Sequence, residues 1–183
     1  CIGLRALLNG FKPDAAVFSG PMWGIAINRY VKPIGEVIAR AGSKLGKGAV
    51  RMPGTKAETY VLSDPFEDNL LTGDAEYWAW MQSHTKAHPE LGLGGPTLRW
   101  LDAAREEFVR FDAAQMPQTP LLTLLGGDEN VVDASAVRRQ MARFEKGTLV
   151  EIPGARHEIW MEQPELQRQG WDAIDAFLNA QGL

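Results

Sequence analysis

The run Pro120-Leu121-Leu122-Thr123-Leu124-Leu125-Gly126-Gly127-Asp128-Glu129-Asn130 decides the fold class. Its apolar centre is short and closed by proline on one side and paired glycines on the other. That length and those breakers suit a strand buried on both faces, as the strands of a parallel sheet are. Two more runs have the same character. Ala15-Ala16-Val17-Phe18-Ser19 ends at Gly20-Pro21, and Thr148-Leu149-Val150-Glu151-Ile152 ends at Pro153-Gly154. Helical periodicity follows Leu125 over 134–144, with Asp133 as a predicted N-cap, and follows Ile152 over 164–178, with Pro164 near the first turn. Alternating strand and helix with buried strands predicts an α/β fold built on a parallel sheet.

Working back toward the start, Cys1, Ile2, Leu4, Leu7 and Leu8 recur at helical spacing and predict a helix over 1–9, closed by Asn9-Gly10. Cys1 reads as a packing residue of that helix, because an unpaired cysteine behaves as a small hydrophobe. The pattern has no capping residue before it, and the expectation is that the chain is a fragment of a longer protein. Between about Met22 and Thr119 the character changes. Four of the six tryptophans lie there (Trp23, Trp78, Trp80 and Trp100), with helical periodicity over 25–41, 77–88 and 97–111 and a polar, irregular middle from Gly46 to Asp68. The expected organisation is therefore core over 1–21, a helical insertion over 22–118, and core again over 119–183.

Composition excludes several classes. A 45% hydrophobic and 23% charged chain is an ordinary globular one. A net charge of −4 argues against nucleic acid as a partner. No apolar run approaches the length that crosses a bilayer, no leader peptide is evident, and one cysteine forms no internal disulfide. These features predict a cytoplasmic location.

Two loops stand where parallel sheets carry their chemistry, just beyond the C-terminal ends of strands. Gly126-Gly127-Asp128-Glu129-Asn130 follows one run and Gly154-Ala155-Arg156-His157-Glu158 the next. An acid and then a histidine on successive strand ends is the second half of a nucleophile–acid–histidine order. A hydroxyl needs a base to take its proton, and the base needs a carboxylate to fix its tautomer. His157 is the base in this reading, and Asp128 and Glu129 both remain open as the acid. His84 and His88 lie four residues apart, but no glutamate adjoins His84 and no third ligand is evident, so neither a metal nor a cofactor is expected.

With these residues in view, the sequence resembles the lysophospholipase L2 and monoacylglycerol lipase-like branch of the α/β-hydrolases, the group labelled serine aminopeptidase S33 or Hydrolase 4. Phe18-Ser19-Gly20-Pro21-Met22-Trp23 is similar to the strand end that leads into that branch's cap. Asn69-Leu70-Leu71-Thr72-Gly73-Asp74 and Pro89-Glu90-Leu91-Gly92-Leu93-Gly94-Gly95-Pro96-Thr97, with Trp100, resemble its cap signature. Gly126 to Asp133 resembles the acid loop and Pro153 to Ile159 the histidine loop. The resemblance places the acid on Glu129, with Asp128 the alternative if the loop shifts by one residue. It also exposes a departure: no Gly-x-Ser-x-Gly occurs, and Ser19, Ser43, Ser63, Ser83 and Ser135 all sit in other contexts.

The resemblance implies a serine hydrolase of carboxylic esters, acting on lysophospholipids or monoacylglycerols through an acyl-enzyme, with the serine outside these residues and the fragment itself inactive. It implies an apolar site under a cap, lined by Met22, Trp23, Trp78 and Trp100. A lipid substrate implies transient contact with a membrane, peripheral to the inner membrane, although no amphipathic basic helix advertises it in the sequence. Two other readings stand beside this one. An aminopeptidase or iminopeptidase would use cap acids such as Glu67, Asp68, Asp74 and Glu76, and a non-catalytic remnant would retain only the sheet.

Overall fold

The computed structural model describes residues 1–27 and 32–183. In chain order the helices are α1 (Ile2–Leu8), α2 (Lys32–Gly42), α3 (Tyr60–Ser63), α4 (Ala75–Ala87), α5 (Leu98–Ala113), α6 (Ala134–Met141) and α7 (Pro164–Gln181). The strands are β1 (Ala16–Ser19), β2 (Leu121–Gly126) and β3 (Gly147–Ile152). They form a parallel sheet in the order β1-β2-β3, with Ser19 opposite Leu124 and Gly126 opposite Ile152. Of the helix predicted over 25–41, residues 32–41 lie in α2 and residues 28–31 lie outside the described ones.

The chain divides into two compact units. One contains Cys1–Ala26, Leu70–Asp74 and Glu107–Leu183, and the other contains Ile27–Asn69 and Ala75–Glu106. Residues 70–74, inside the stretch expected to form the insertion, group with the first unit.

In the first unit β2 is the buried spine. Every residue from Leu121 to Gly126 is buried, and alternation sends its side chains to two separate cores. Leu121 and Leu125 join Leu4, Trp23, Phe111, Val137, Met141 and Phe144. Leu122 and Leu124 join Ile152, Ala155, Ile159 and Phe177. Helices α1 and α6 thus cover one face, and α7 the other. The sequence predicted β1 and β3 buried on both faces as well, and this is corrected: β1 is half-buried with Ser19 exposed, and in β3 Ile152 alone is buried. Each flanks β2 on one side only, so its backbone and outer faces see more solvent among the described residues.

Local chemistry accounts for the helix ends that position the loops. Asp133 caps α6 as predicted, its Oδ1 accepting from the Ala136 amide at 3.1 Å. Pro164 opens α7, where an amide would have no helical partner. Cys1 packs against the first core, and its thiol donates to the Met22 carbonyl at 2.8 Å. Arg5 of α1 holds Glu107 of α5 through Nη1 contacts of 2.6 and 2.9 Å.

In the second unit α2 departs from expectation. Ile34, Val37 and Ile38 are 61%, 68% and 41% exposed, while Ala39 is fully buried. The spacing of the first three puts them on one stripe facing away from the unit's interior, and the helix is amphipathic with its apolar side outward. Arg40 stands in its last turn, and Lys44 and Lys47 follow it. The sequence predicted this helix but not its outward apolar face, because periodicity alone does not say which face is buried.

Candidate active site

Because the strands are parallel and in register, Gly20, the 127–130 loop and the 153–158 loop all leave the same end of the sheet. Backbone bonds hold the two loops together: Gly127 donates to the Ile152 carbonyl at 2.8 Å and Asp128 to the Ala155 carbonyl at 2.9 Å. A side chain on Gly126 would stand 2.3 Å from the Arg156 carbonyl oxygen, so this approach requires its absence.

Within that frame His157 Nδ1 lies 2.8 Å from Glu129 Oε2. A carboxylate only accepts, so Nδ1 carries the proton and Nε2 is left as the basic nitrogen. The Glu129 side chain is 1% exposed. Its other oxygen, Oε1, accepts from the amides of Val131 at 2.7 Å and Val132 at 3.0 Å. Burial pushes the Glu129 carboxyl up, but the His157 hydrogen bond, the two amides and the charge of His157 outweigh it and hold the group below its ordinary value. Burial pushes the His157 imidazole down, but the Glu129 hydrogen bond and charge, aided by Glu158, hold it above its ordinary value. Asp128 is exposed, and its own carbonyl accepts from the Asn130 side chain at 2.9 Å. The structure brings His157 to Glu129, not to Asp128.

The ring has a floor. Gly20 closes β1 with φ +49°, and a Cβ there would stand 3.0 Å from His157 Cε1 and 3.1 Å from Nδ1. Sequence reasoning registered Gly20 only as the end of a strand. It also missed Glu162, which is 1% exposed and accepts from the Arg156 amide at 2.7 Å and the Gly73 amide at 2.9 Å. A glutamate five residues after a histidine carries no signal of such a role without a fold.

The residues expected to line a substrate site are scattered. Met22 is half-buried against the first core. Trp23 is 1% exposed, edge-on to Phe18 at 5.8 Å and stacked on Phe144 at 6.4 Å. It presents no open face, because the chain after Gly20 turns this ring into the core. Trp78 is 3% exposed in the second unit, edge-on to Tyr60 at 6.0 Å. Trp100 is 45% exposed and lines an open groove of the same unit with Arg51, Leu93 and Pro96. Glu67, Asp68 and Glu76 are exposed, and Asp74 is half-buried. His84 lies against Trp80 at 4.3 Å, and His88 Nδ1 lies 3.2 Å from Glu90 Oε1. Among the described residues no three His, Cys, Asp or Glu side chains gather as a metal site would need, and no helix is long and apolar enough to cross a membrane.

Comparison with known proteins agrees with this architecture. A family profile described as serine aminopeptidase, S33 (Hydrolase_4) matches residues 4–164. A probable lysophospholipase L2 of Haemophilus influenzae is 28% identical over 170 residues, which are 92% of this chain and 52% of that protein. The chain thus spans about half the length of this curated relative. Among solved structures, a monoacylglycerol lipase of Paleococcus ferrophilus superposes with a TM-score of 0.70 at 14% identity, covering 97% of this chain and 63% of that one. A soluble variant of the monoglyceride lipase of Saccharomyces cerevisiae, in complex with a substrate analog, gives 0.66 at 18% identity, covering 90% and 55%. At these identities the likeness to solved structures is one of fold.

Proposed function

Because the chain belongs to the serine aminopeptidase S33 family of α/β-hydrolases, we propose that its parent protein is a serine hydrolase cleaving mono-acyl lipid esters, lysophospholipids or monoacylglycerols, through an acyl-enzyme. The observation that carries this reading is the His157–Glu129 pair, 2.8 Å apart at the strand ends. A serine supplied by sequence outside these 183 residues attacks the ester carbonyl. His157 Nε2 takes the serine proton and later delivers it to the leaving alcohol, and water then reverses the sequence to release the acid. Glu129 holds the tautomer and stabilises the imidazolium. Asp128, which is exposed, is the weaker alternative.

The lipid-ester part of the reading is supported by the likeness to a probable lysophospholipase L2 and by the apolar stripe of α2. Ile34, Val37 and Ile38, with Arg40, Lys44 and Lys47 nearby, fit transient docking on an anionic bilayer. In this reading residues 27–69 and 75–106 form the lid, with Trp78 as packing and Trp100 facing its groove. The test uses the longer protein and a fluorophosphonate probe. Labelling abolished by His157→Ala and strongly slowed by Glu129→Ala is expected, with hydrolysis of monoacylglycerol or lysophosphatidylcholine. Labelling indifferent to both substitutions refutes the assignment, and turnover of aminoacyl-naphthylamides in place of acyl esters turns it to a peptidase.

A further inference from the structure

We propose that Glu162 is a positioning residue for His157, acting through the Arg156 amide and through the Leu70–Asp74 segment; the inference rests on the hydrolase reading above. Three consecutive amides bracket the histidine, and each donates to this assembly. That of Arg156 donates to Glu162 Oε1 at 2.7 Å, that of His157 to the Leu70 carbonyl at 3.4 Å, and that of Glu158 to the Leu71 carbonyl at 2.8 Å. The other carboxylate oxygen, Oε2, takes the Gly73 amide at 2.9 Å. Arg156 Nη1 adds a bond to the Thr72 carbonyl at 3.0 Å, and Thr72 Oγ1 donates to the Met161 carbonyl at 2.5 Å.

Glu162 therefore reaches Gly73, 89 residues earlier in the chain, and pins the peptide immediately before the base. A buried carboxylate is tolerated because both oxygens receive donors. Glutamine would not replace it, since one of its two terminal atoms donates and would meet an amide N–H. Glu129 and Gly20 fix the ring, while Glu162 and the segment fix the backbone from which the ring projects. A misplacement of about 1 Å in a catalytic group costs up to about 100-fold in rate, so loss of the backbone anchor is felt at the base even with the ring's partner in place.

The experiment measures fluorophosphonate labelling rates against pH, with melting temperatures, in the longer protein. Glu162→Gln is expected to slow labelling by about 10- to 100-fold and to move the acidic limb to lower pH, because a displaced imidazole loses the Glu129 contact that favours its charged form. Gly73→Ala perturbs the same carboxylate without removing it. The new Cβ would stand 3.1 Å from Oε2, and a smaller slowing with the same shift of limb is expected. If Glu162→Gln does not fold, Gly73→Ala decides. A folded variant with a lowered melting temperature but an unchanged rate and limb makes Glu162 merely structural and overturns the proposal. Wild-type protein that takes no label, or labels without need of His157, removes the hydrolase reading and this one with it. His157-dependent labelling that ignores both substitutions removes this one alone.

Discussion

Gly20→Ala tests whether the end of β1 sets the position of the imidazole. Two penalties arise at that residue. Its φ of +49° is a conformation that a side chain makes unfavourable by about 1–2 kcal/mol. The new methyl would also stand 3.0 Å from His157 Cε1, 3.1 Å from Nδ1 and 3.3 Å from its carbonyl oxygen, so the ring must yield by a few tenths of an ångström. Glu129 holds Nδ1 of the same ring at 2.8 Å, and the displacement distorts that bond. The expected outcome is a stability loss of about 2–3 kcal/mol, the backbone term plus a moderate overpacking term. A loss of roughly 10-fold in kcat/KM accompanies it, a fraction of the 100-fold that a full ångström costs. Gly10→Ala is the control. Its φ is +96°, and nothing lies within 4 Å of the added methyl, so it takes the backbone penalty without touching the site. Urea denaturation gives the stability, and turnover per fluorophosphonate-titrated site gives the rate. If Gly10→Ala and Gly20→Ala reduce turnover equally, or neither does, the ring does not rest on Gly20 and the reasoning is wrong.

Glu129→Gln should leave the fold intact and cut turnover on the order of 10³–10⁴-fold, because an amide partner permits the wrong imidazole tautomer; a loss under 10-fold, measured with the acyl substrate, would return the acid role to Asp128. The acidic limb of kcat/KM should lie above pH 6.5, since Glu129 holds His157 above that ordinary value and the base must be neutral to act. Stability follows the opposite rule: the histidine's contribution is full below 6.5 and fades as pH rises through its raised value, while the glutamate's is present above 4.5 and fades as pH falls through its depressed one. The pair should stabilise most between those pH values, where turnover is low, and a pH series of urea midpoints compared with that of Glu129→Gln checks it. Trp23→Ala should lose about 3–5 kcal/mol of stability with KM per active site unchanged across acyl lengths; an altered acyl preference would restore that ring to the substrate.

How much of this was legible in the sequence depends on the range of the interactions. The sheet was readable because burial and breakers are local: Leu121 to Leu125 between a proline and two glycines is strand-like whatever surrounds it. The approach of His157 to the 127–130 loop was readable because both loops follow successive strand ends, which a parallel sheet brings together. The burial of Trp23 was not legible, for the converse reason. An aromatic after a strand end is visible, but the direction of its side chain is set by the Gly20 turn and by Phe144, far along the chain. The outward stripe of α2 has the same origin, since the spacing of Ile34, Val37 and Ile38 fits burial and exposure equally. Glu162 was invisible, because its partners at Gly73 and Arg156 are joined only once the 70–74 segment returns to the sheet.

That return has a consequence for building with this fold. The chain leaves the sheet unit after Ala26, comes back for Leu70–Asp74, leaves again, and rejoins at Glu107. The second unit is thus two cassettes, 27–69 and 75–106, separated in sequence by the segment whose carbonyls accept from the His157 and Glu158 amides. A chimera that exchanges 27–106 as one block discards the acceptors of the His157 and Glu158 amides and the donor to Glu162 Oε2. Exchanging the cassettes separately, with Leu70 to Asp74 left in place, changes the second unit and keeps the partners of the His157 and Glu158 amides and of Glu162.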